Sequence, residues 1–201
     1  MSEAYPDVRL PKVTFDRYEG DALCVIDAIC AYVWERDISD SERIARFWRL
    51  TPGQRAVLPT TSVHGEVLNG GLEQYLHNSG SMFFHEAVEG LVIMGAHRHA
   101  DLLRRASQVF PGGIVPRDRT ERVAALFRGD EERYQRFLEA QAWHEAHPMT
   151  PMNVDWGLKE YVEVLEQVTS LYFRLEDSDD SLEWSVWPRY VNSHLADFVR
   201  P

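Results

Sequence analysis

Gly70 and Gly71 stand side by side in a run that otherwise has helical spacing. Val63, Val67 and Leu68 form an apolar face before the pair, and Leu72, Tyr75 and Leu76 form another after it. Two adjacent residues without Cβ atoms weaken a helix and open backbone conformations closed to other residues. The chain must therefore turn here or let another backbone come close. The surrounding stretch, Glu66-Val-Leu-Asn-Gly-Gly-Leu-Glu-Gln-Tyr-Leu-His-Asn-Ser-Gly80, crowds amides, carboxylates and a histidine around a short apolar stripe. Asn69, Gln74 and Asn78 are expected to satisfy backbone groups that the break leaves open.

Helical patterns flank this joint on both sides. Residues 1 to about 16 read as an extended, Pro-interrupted lead. A first helix is expected from about Arg17 to Arg36, with Ala22, Ile26, Ile29, Cys30 and Val33 as its stripe. Ser39 or Ser41 caps a second, which carries Ile44, Phe47 and Trp48, and Pro52 suits the first turn of a third. Pro59 should end or kink that third helix. Asn78-Ser-Gly80 is a stop signal, and Ser81 is expected to cap a helix from Met82 to about Gly95, with Ala87, Leu91 and Met94 inward. Another follows from His97 to Phe110, closed by Pro111-Gly-Gly113.

The second half continues in the same way. Asp118 and Glu121 have capping-box spacing before Val123, Leu126 and Phe127; Gly129 ends that helix and Asp130 caps the next, with Tyr134, Phe137, Leu138 and Gln141. After a loop at Pro148 and Pro151, Asp155 caps an amphipathic helix carrying Leu158, Tyr161, Val162, Leu165, Val168 and Tyr172. A last helix carries Trp187, Tyr190, Val191, Leu195 and Phe198, with Pro188 shifting its start or kinking it. No run shows sustained strand alternation. The expected fold is all-α, a compact multi-helix array with short connections and no significant sheet. Residues 1–36 read as a lead and first helix, and 37–201 as the main helical domain.

The 201 residues can bury a core without disulfides or metals, and 44% hydrophobic with 26% charged residues is globular composition. The formal net charge is −11. That balance opposes direct nucleic-acid contact, which needs Lys and Arg on phosphates, and opposes anionic membranes. It favours basic partners, although acidity also serves plain solubility. Cys24 and Cys30 lie six residues apart on one expected helix, about 9 Å along its axis, so they are read as free thiols. No secretory signal or spanning apolar run is seen, and the expected location is cytoplasmic.

Three constellations could carry chemistry. His85, His97 and His99, the pair His144 and His147, and His64 with Glu66 invite a metal, but none has the i, i+4 spacing of a helical zinc site. Glu66 or Glu73 could act as a general base beside His77, with Asn69, Gln74 and Asn78 around them. Against this, Glu73 and His77, at i and i+4, can be a surface pair. No phosphate loop, nucleophile elbow or Cys–His pattern is present. The reading is therefore non-enzymatic, with no cofactor and no metal. Third, Glu160, Glu163 and Glu166 repeat every three residues, and Asp177, Asp179, Asp180 and Glu183 extend the acidic run. Such side chains sit about 5–6 Å apart, comparable to phosphates along one DNA strand. The plain alternative is a solvated face partly neutralised by Lys159 with Glu163.

The central stretch resembles the signature of the bacterial DNA-mimic-protein (DMP-like) family, close to E-V-x-N-G-G-F-x-Q-Y-x-x-N-x-x-G. Glu66, Asn69, Gly70, Gly71, Gln74, Tyr75 and Asn78 carry it, with Leu72 where the family often has Phe. The resemblance continues through Gly90, Leu91, Gly95, Ala96, Leu102, Leu103, Ala106 and Phe110, and returns at Tyr172, Tyr190, Val191, His194 and Phe198. It spans about Asp37 to Phe198, with an insertion at about 130–157 and Pro188 as departures. It implies a helical fold and, from the member that names the family, a protein shaped and charged like duplex DNA that binds a transcription factor's DNA-binding surface. The resulting expectation is an acidic binding protein that sequesters a basic, DNA-binding partner. A homodimer is left open. A small hydrolase or metal-binding protein using Glu66 to Asn78 is one alternative. A helical scaffold or immunity-type protein is the other.

Overall fold

The computed structural model describes residues 7–147 and 161–201. The chain divides into two compact units. One takes the residues up to Thr61, with His85–Ala100 and Arg174–Pro201; the other takes Ser62–Phe84 and Asp101–Phe173. The fold is all-α: among the described residues there are eleven α-helices and one parallel pair of two-residue strands, β1 (Leu10–Pro11) beside β2 (Val199–Arg200).

The first unit begins with a departure from the expected extended lead. Lys12–Arg17 form α1, and the chain then turns through Glu19 (φ 56°) and Gly20 (φ 75°). These left-handed residues stop helix propagation, so α2 runs over Ala22–Val33 rather than from Arg17 to Arg36. Asp21 caps it by accepting from the Leu23 amide, and Asp37 (φ 66°) turns the chain beyond its end. Ala22, Ile26, Ile29 and Val33 are buried as expected, and Cys30 is half-buried. Cys24 and Cys30 are free, and burial pushes both thiols up, away from the reactive thiolate. Ser39 caps α3 (Asp40–Arg49) by accepting from the Glu42 amide. Phe47 of α3 is buried, whereas Trp48 faces out.

The long helix α4 covers Pro52–His77 and passes through Pro59, which was expected to end or kink it. Its only non-helical backbone angles are at Gly70 and Gly71. Proline at 59 removes one N–H, and neighbouring hydroxyls add local bonds: Thr60 donates to the Val57 carbonyl at 2.6 Å and Thr61 to Leu58 at 2.7 Å. Thr60 also accepts from the Trp187 indole at 2.9 Å, tying α10 (Trp187–Ser193) to this turn. At the start of α4, Asp197 accepts from the Gly53 amide at 2.9 Å. A carboxylate there meets both an orphan N–H and the positive end of the helix dipole. Asp197 lies on α11 (Leu195–Phe198).

After α4, Ser79–Phe83 form a 3₁₀ turn and α5 begins at Phe84, ending at Ile93. Ser81 does not cap α5. It sits inside the turn and donates to the carbonyls of Leu76 and Asn78. Ala87, Leu91 and Met94 are buried. Gly90 of α5 faces α4 so closely that a Cβ would lie 2.1 Å from the Ala56 carbonyl oxygen. The helix α6 spans His97–Ser107.

In the second unit, α7 (Arg119–Leu126) and α8 (Glu131–Ala146) start on the expected caps, Asp118 accepting from Glu121 and Asp130 from Arg133. Val123, Phe127 and Phe137 form a small core with Tyr134 against it, while Leu138 is partly exposed. The amphipathic helix is described from Val162 to Glu176 as α9, with Leu165, Val168 and Tyr172 buried. Asp155, Leu158 and the last part of the expected insertion, 148–157, lie outside the described residues. The last expected helix is divided: a π-helical turn at Leu182–Val186 precedes α10, with Pro188 in the first turn of α10, and α11 follows.

Gly90 gives a direct test of the α4–α5 contact. Gly90→Ala forces a methyl group into backbone and should cost about 2–3 kcal/mol, lowering Tm by roughly 5–10 °C in a thermal melt. An unchanged Tm would show that the two helices are not in this close contact.

Candidate functional site

The central motif folds into a joint. Gly70 has φ −156°, and Gly71 has φ 78° with an extended ψ of −178°, a conformation nearly closed to L side chains. The break frees the Leu72 amide, which donates to the Thr169 hydroxyl of α9 at 3.2 Å. A Cβ on Gly70 would lie 2.1 Å from Gln74 Oε1, so the glycine leaves room for that amide.

The amides do not all tie off backbone, as the sequence suggested. Gln74 and Asn78 both donate to Glu66 Oε2, at 2.6 and 2.7 Å. The motif carboxylate thus clips the helix after the joint to the helix before it. Asn69 is exposed, and its side chain makes no hydrogen bond among the described residues. Tyr75 is fully buried and stacks on Phe84 with ring centroids 6.1 Å apart.

The carbonyls at the end of α4 are satisfied by residues that pattern reading passed over. Arg122 is fully buried. Its Nε donates to Leu76 O, Nη2 to Asn78 O, and Nη1 to Pro116 O and Arg117 O, all at 2.9 Å. Arg119 Nε donates to His77 O at 3.0 Å. A guanidinium suits this place twice over, since its planar fork spans several acceptors and its charge sits at the negative end of the helix. The available signal was the i, i+3 spacing of Arg119 and Arg122, which puts Arg122 beside the core positions Val123 and Leu126.

His77 is not at the surface: it is buried, and its ring lies 5.5 Å from that of Phe137. Glu73 and His77 line a cavity of about 230 Å³ with Gly70, Gln74 and Asn78. Among the other histidines, His97 is exposed, while His99 is buried and bonded to Glu176 at 2.8 Å. No group of three or more His, Cys, Asp or Glu among the described residues is placed to hold a metal ion. No helix among them is long and apolar enough to cross a membrane.

The acidic positions separate by environment. Glu163 and Glu166 are exposed on α9 and form no ion pair among the described residues; Glu160 and Lys159 lie outside those residues. In the first unit, Asp177 and Asp179 are exposed, Glu183 is half-buried, and Asp180 pairs with Arg98 at 2.8 Å. Glu176, which opens this loop, has a side chain only 8% exposed: its second oxygen accepts from the Ser181 hydroxyl and the Leu182 amide, both at 3.0 Å.

Residues 49–194 match the model of the DMP19-like protein family. The chain belongs to that family. Comparisons with curated proteins and with solved structures found no match. The span shared with DMP19-like proteins includes the whole joint, both arginines that close it, and α9. It starts later than the resemblance read from about Asp37.

The joint makes two measurable claims. Gly71→Val places a β-branched residue at positive φ and should cost about 1–3 kcal/mol in a denaturant titration. Arg122→Met leaves several buried carbonyls without their donors and should cost about 3–5 kcal/mol. Arg122→Lys should rescue little, because an ammonium cannot span the same acceptors. Full rescue by lysine would mean that charge alone matters here.

Proposed function

We propose that this DMP19-like chain is a non-enzymatic acidic binding protein that sequesters a basic partner by occupying its DNA-binding surface. One observation carries the reading: Glu163 and Glu166 stand exposed on α9 without an ion pair among the described residues, in a chain of net charge −11. Exposed carboxylates one helical turn apart attract cationic groups arranged to meet phosphates. Family membership supports the same reading. A duplex DNA mimic is its sharper form, and a transcription factor its expected partner class.

The test is competition. Labelled duplex DNA is bound to each of several purified basic DNA-binding proteins, and this protein is titrated in while anisotropy is followed. Displacement should occur at about 50 mM salt and largely vanish at about 500 mM, where the Debye length falls to a few ångströms. Absence of displacement from every one of them at low salt would sink the proposal.

A second reading, a small hydrolase or metal-binding protein, is favoured by the cavity that Glu73 and His77 share with Gln74 and Asn78. It requires that a small ligand or zinc raise Tm, and that Glu73→Gln abolish the rise.

A further inference from the structure

Beside the joint, α4 and α9 bound an open groove of about 510 Å³ whose lining includes Leu68, Asn69, Glu73, Glu166, Thr169 and Phe173. The size is that of a site for a few side chains. Its floor is fixed, since the Leu72 amide is bonded to Thr169 and Gly71 stands where a Cβ would be 3.5 Å from that threonine. Its apolar lining reaches solvent: Leu68 is 47% exposed and Phe173 39%. Glu166 brings a carboxylate to this lining without an ion pair among the described residues, and Glu163 is exposed one turn earlier on the same helix.

A second observation comes from the motif itself. Gln74 and Asn78 are spent on Glu66, but Asn69 lies in the groove lining, exposed and with no side-chain hydrogen-bond partner among the described residues. The joint does not use it, so its donor and acceptor are available to a peptide backbone.

We infer that this groove docks a segment of the basic partner in which a large apolar side chain is flanked by Arg or Lys. The apolar side chain lies against Leu68 and Phe173, a cation meets Glu166, and Asn69 bonds the segment's backbone. This inference rests on the acidic-binding reading and adds to it a defined contact. Long-range attraction alone would follow net charge wherever a carboxylate stood; a desolvated apolar anchor beside a carboxylate makes the position matter.

The experiment uses the full chain and a fluorescein-labelled amphipathic helical peptide carrying Leu on one face and Arg on the other. A second peptide has every Leu replaced by Ser at the same charge. Four proteins are compared: wild type, Leu68→Ser/Phe173→Ser, Glu166→Lys, and Asp27→Lys as a charge-matched change at an exposed site of the other unit. All changed side chains are at least partly exposed, and circular dichroism verifies that each variant is folded. Wild type should prefer the Leu peptide by about tenfold, and both groove variants should lose about tenfold in affinity for it, with Asp27→Lys within about twofold of wild type. Equal binding of the two peptides, or equal losses for Glu166→Lys and Asp27→Lys, would overturn the groove while leaving a diffuse acidic surface intact. Conversion of a dimer to a monomer by Leu68→Ser/Phe173→Ser would overturn it in favour of a second copy as the occupant. Failure of wild type to displace DNA from any basic protein is the separate outcome that removes the underlying reading.

Discussion

The break at Gly70–Gly71 and the end of α4 a few residues later both leave backbone groups without helical partners, and much of the second unit meets them. Leu72 gives its amide to Thr169 of α9, and the carbonyls of Leu76, His77 and Asn78 take Arg122 and Arg119 of α7. Glu66 draws the two sides together through Gln74 and Asn78. Bonds from a charged donor are worth about 1.5–3 kcal/mol each, against about 5–15 kcal/mol for a whole domain. The buried arginine is therefore a large contributor to holding α7 against the end of α4, while the amide freed at the glycines is met by Thr169 of α9.

The same accounting changes how the net charge should be understood. Glu66 is consumed by two amides and Glu176 by His99, Ser181 and Leu182. Glu35, Asp40 and Glu42 are paired with Arg43 and Arg46. These carboxylates contribute to the formal charge but already have partners within the chain. The acids open to a partner are fewer, and Glu163 and Glu166 on α9 and Asp177 and Asp179 on the loop are among them. Total charge supports attraction at long range; where a partner would settle depends on which carboxylates have no structural duty.

Features set by neighbours in sequence were legible, and features set by distant contacts were not. Ser39, Asp118 and Asp130 cap their helices as their spacing indicated, because a cap bonds an amide only two or three residues away. The stripe Leu165, Val168, Tyr172 is buried for the same local reason. Pro59 misled because the threonines after it and the indole of Trp187 stabilise a turn that local propensity disfavours. Asp37 takes positive φ with no glycine to announce it. Arg122 was missed because a charged residue is ordinarily assigned to the surface, and only its carbonyl partners on other segments make burial affordable.

The motif thus contains residues of two kinds. Glu66, Gly70, Gly71, Gln74, Tyr75 and Asn78 are each accounted for by the joint, through a bond, a backbone angle or burial. Their pattern identifies the fold and says little about a partner, since a change in any of them acts first on stability. Asn69 is different: it precedes the glycines, is exposed, and lines the groove with Glu166 and Phe173 of α9. A buried polar group has to be explained by its partners, whereas an exposed amide beside apolar side chains is unexplained by folding energetics. Within the motif, then, Asn69 is the residue that the joint leaves unused, although residues on both sides of it, Glu66 and Gly70, are taken up by the joint.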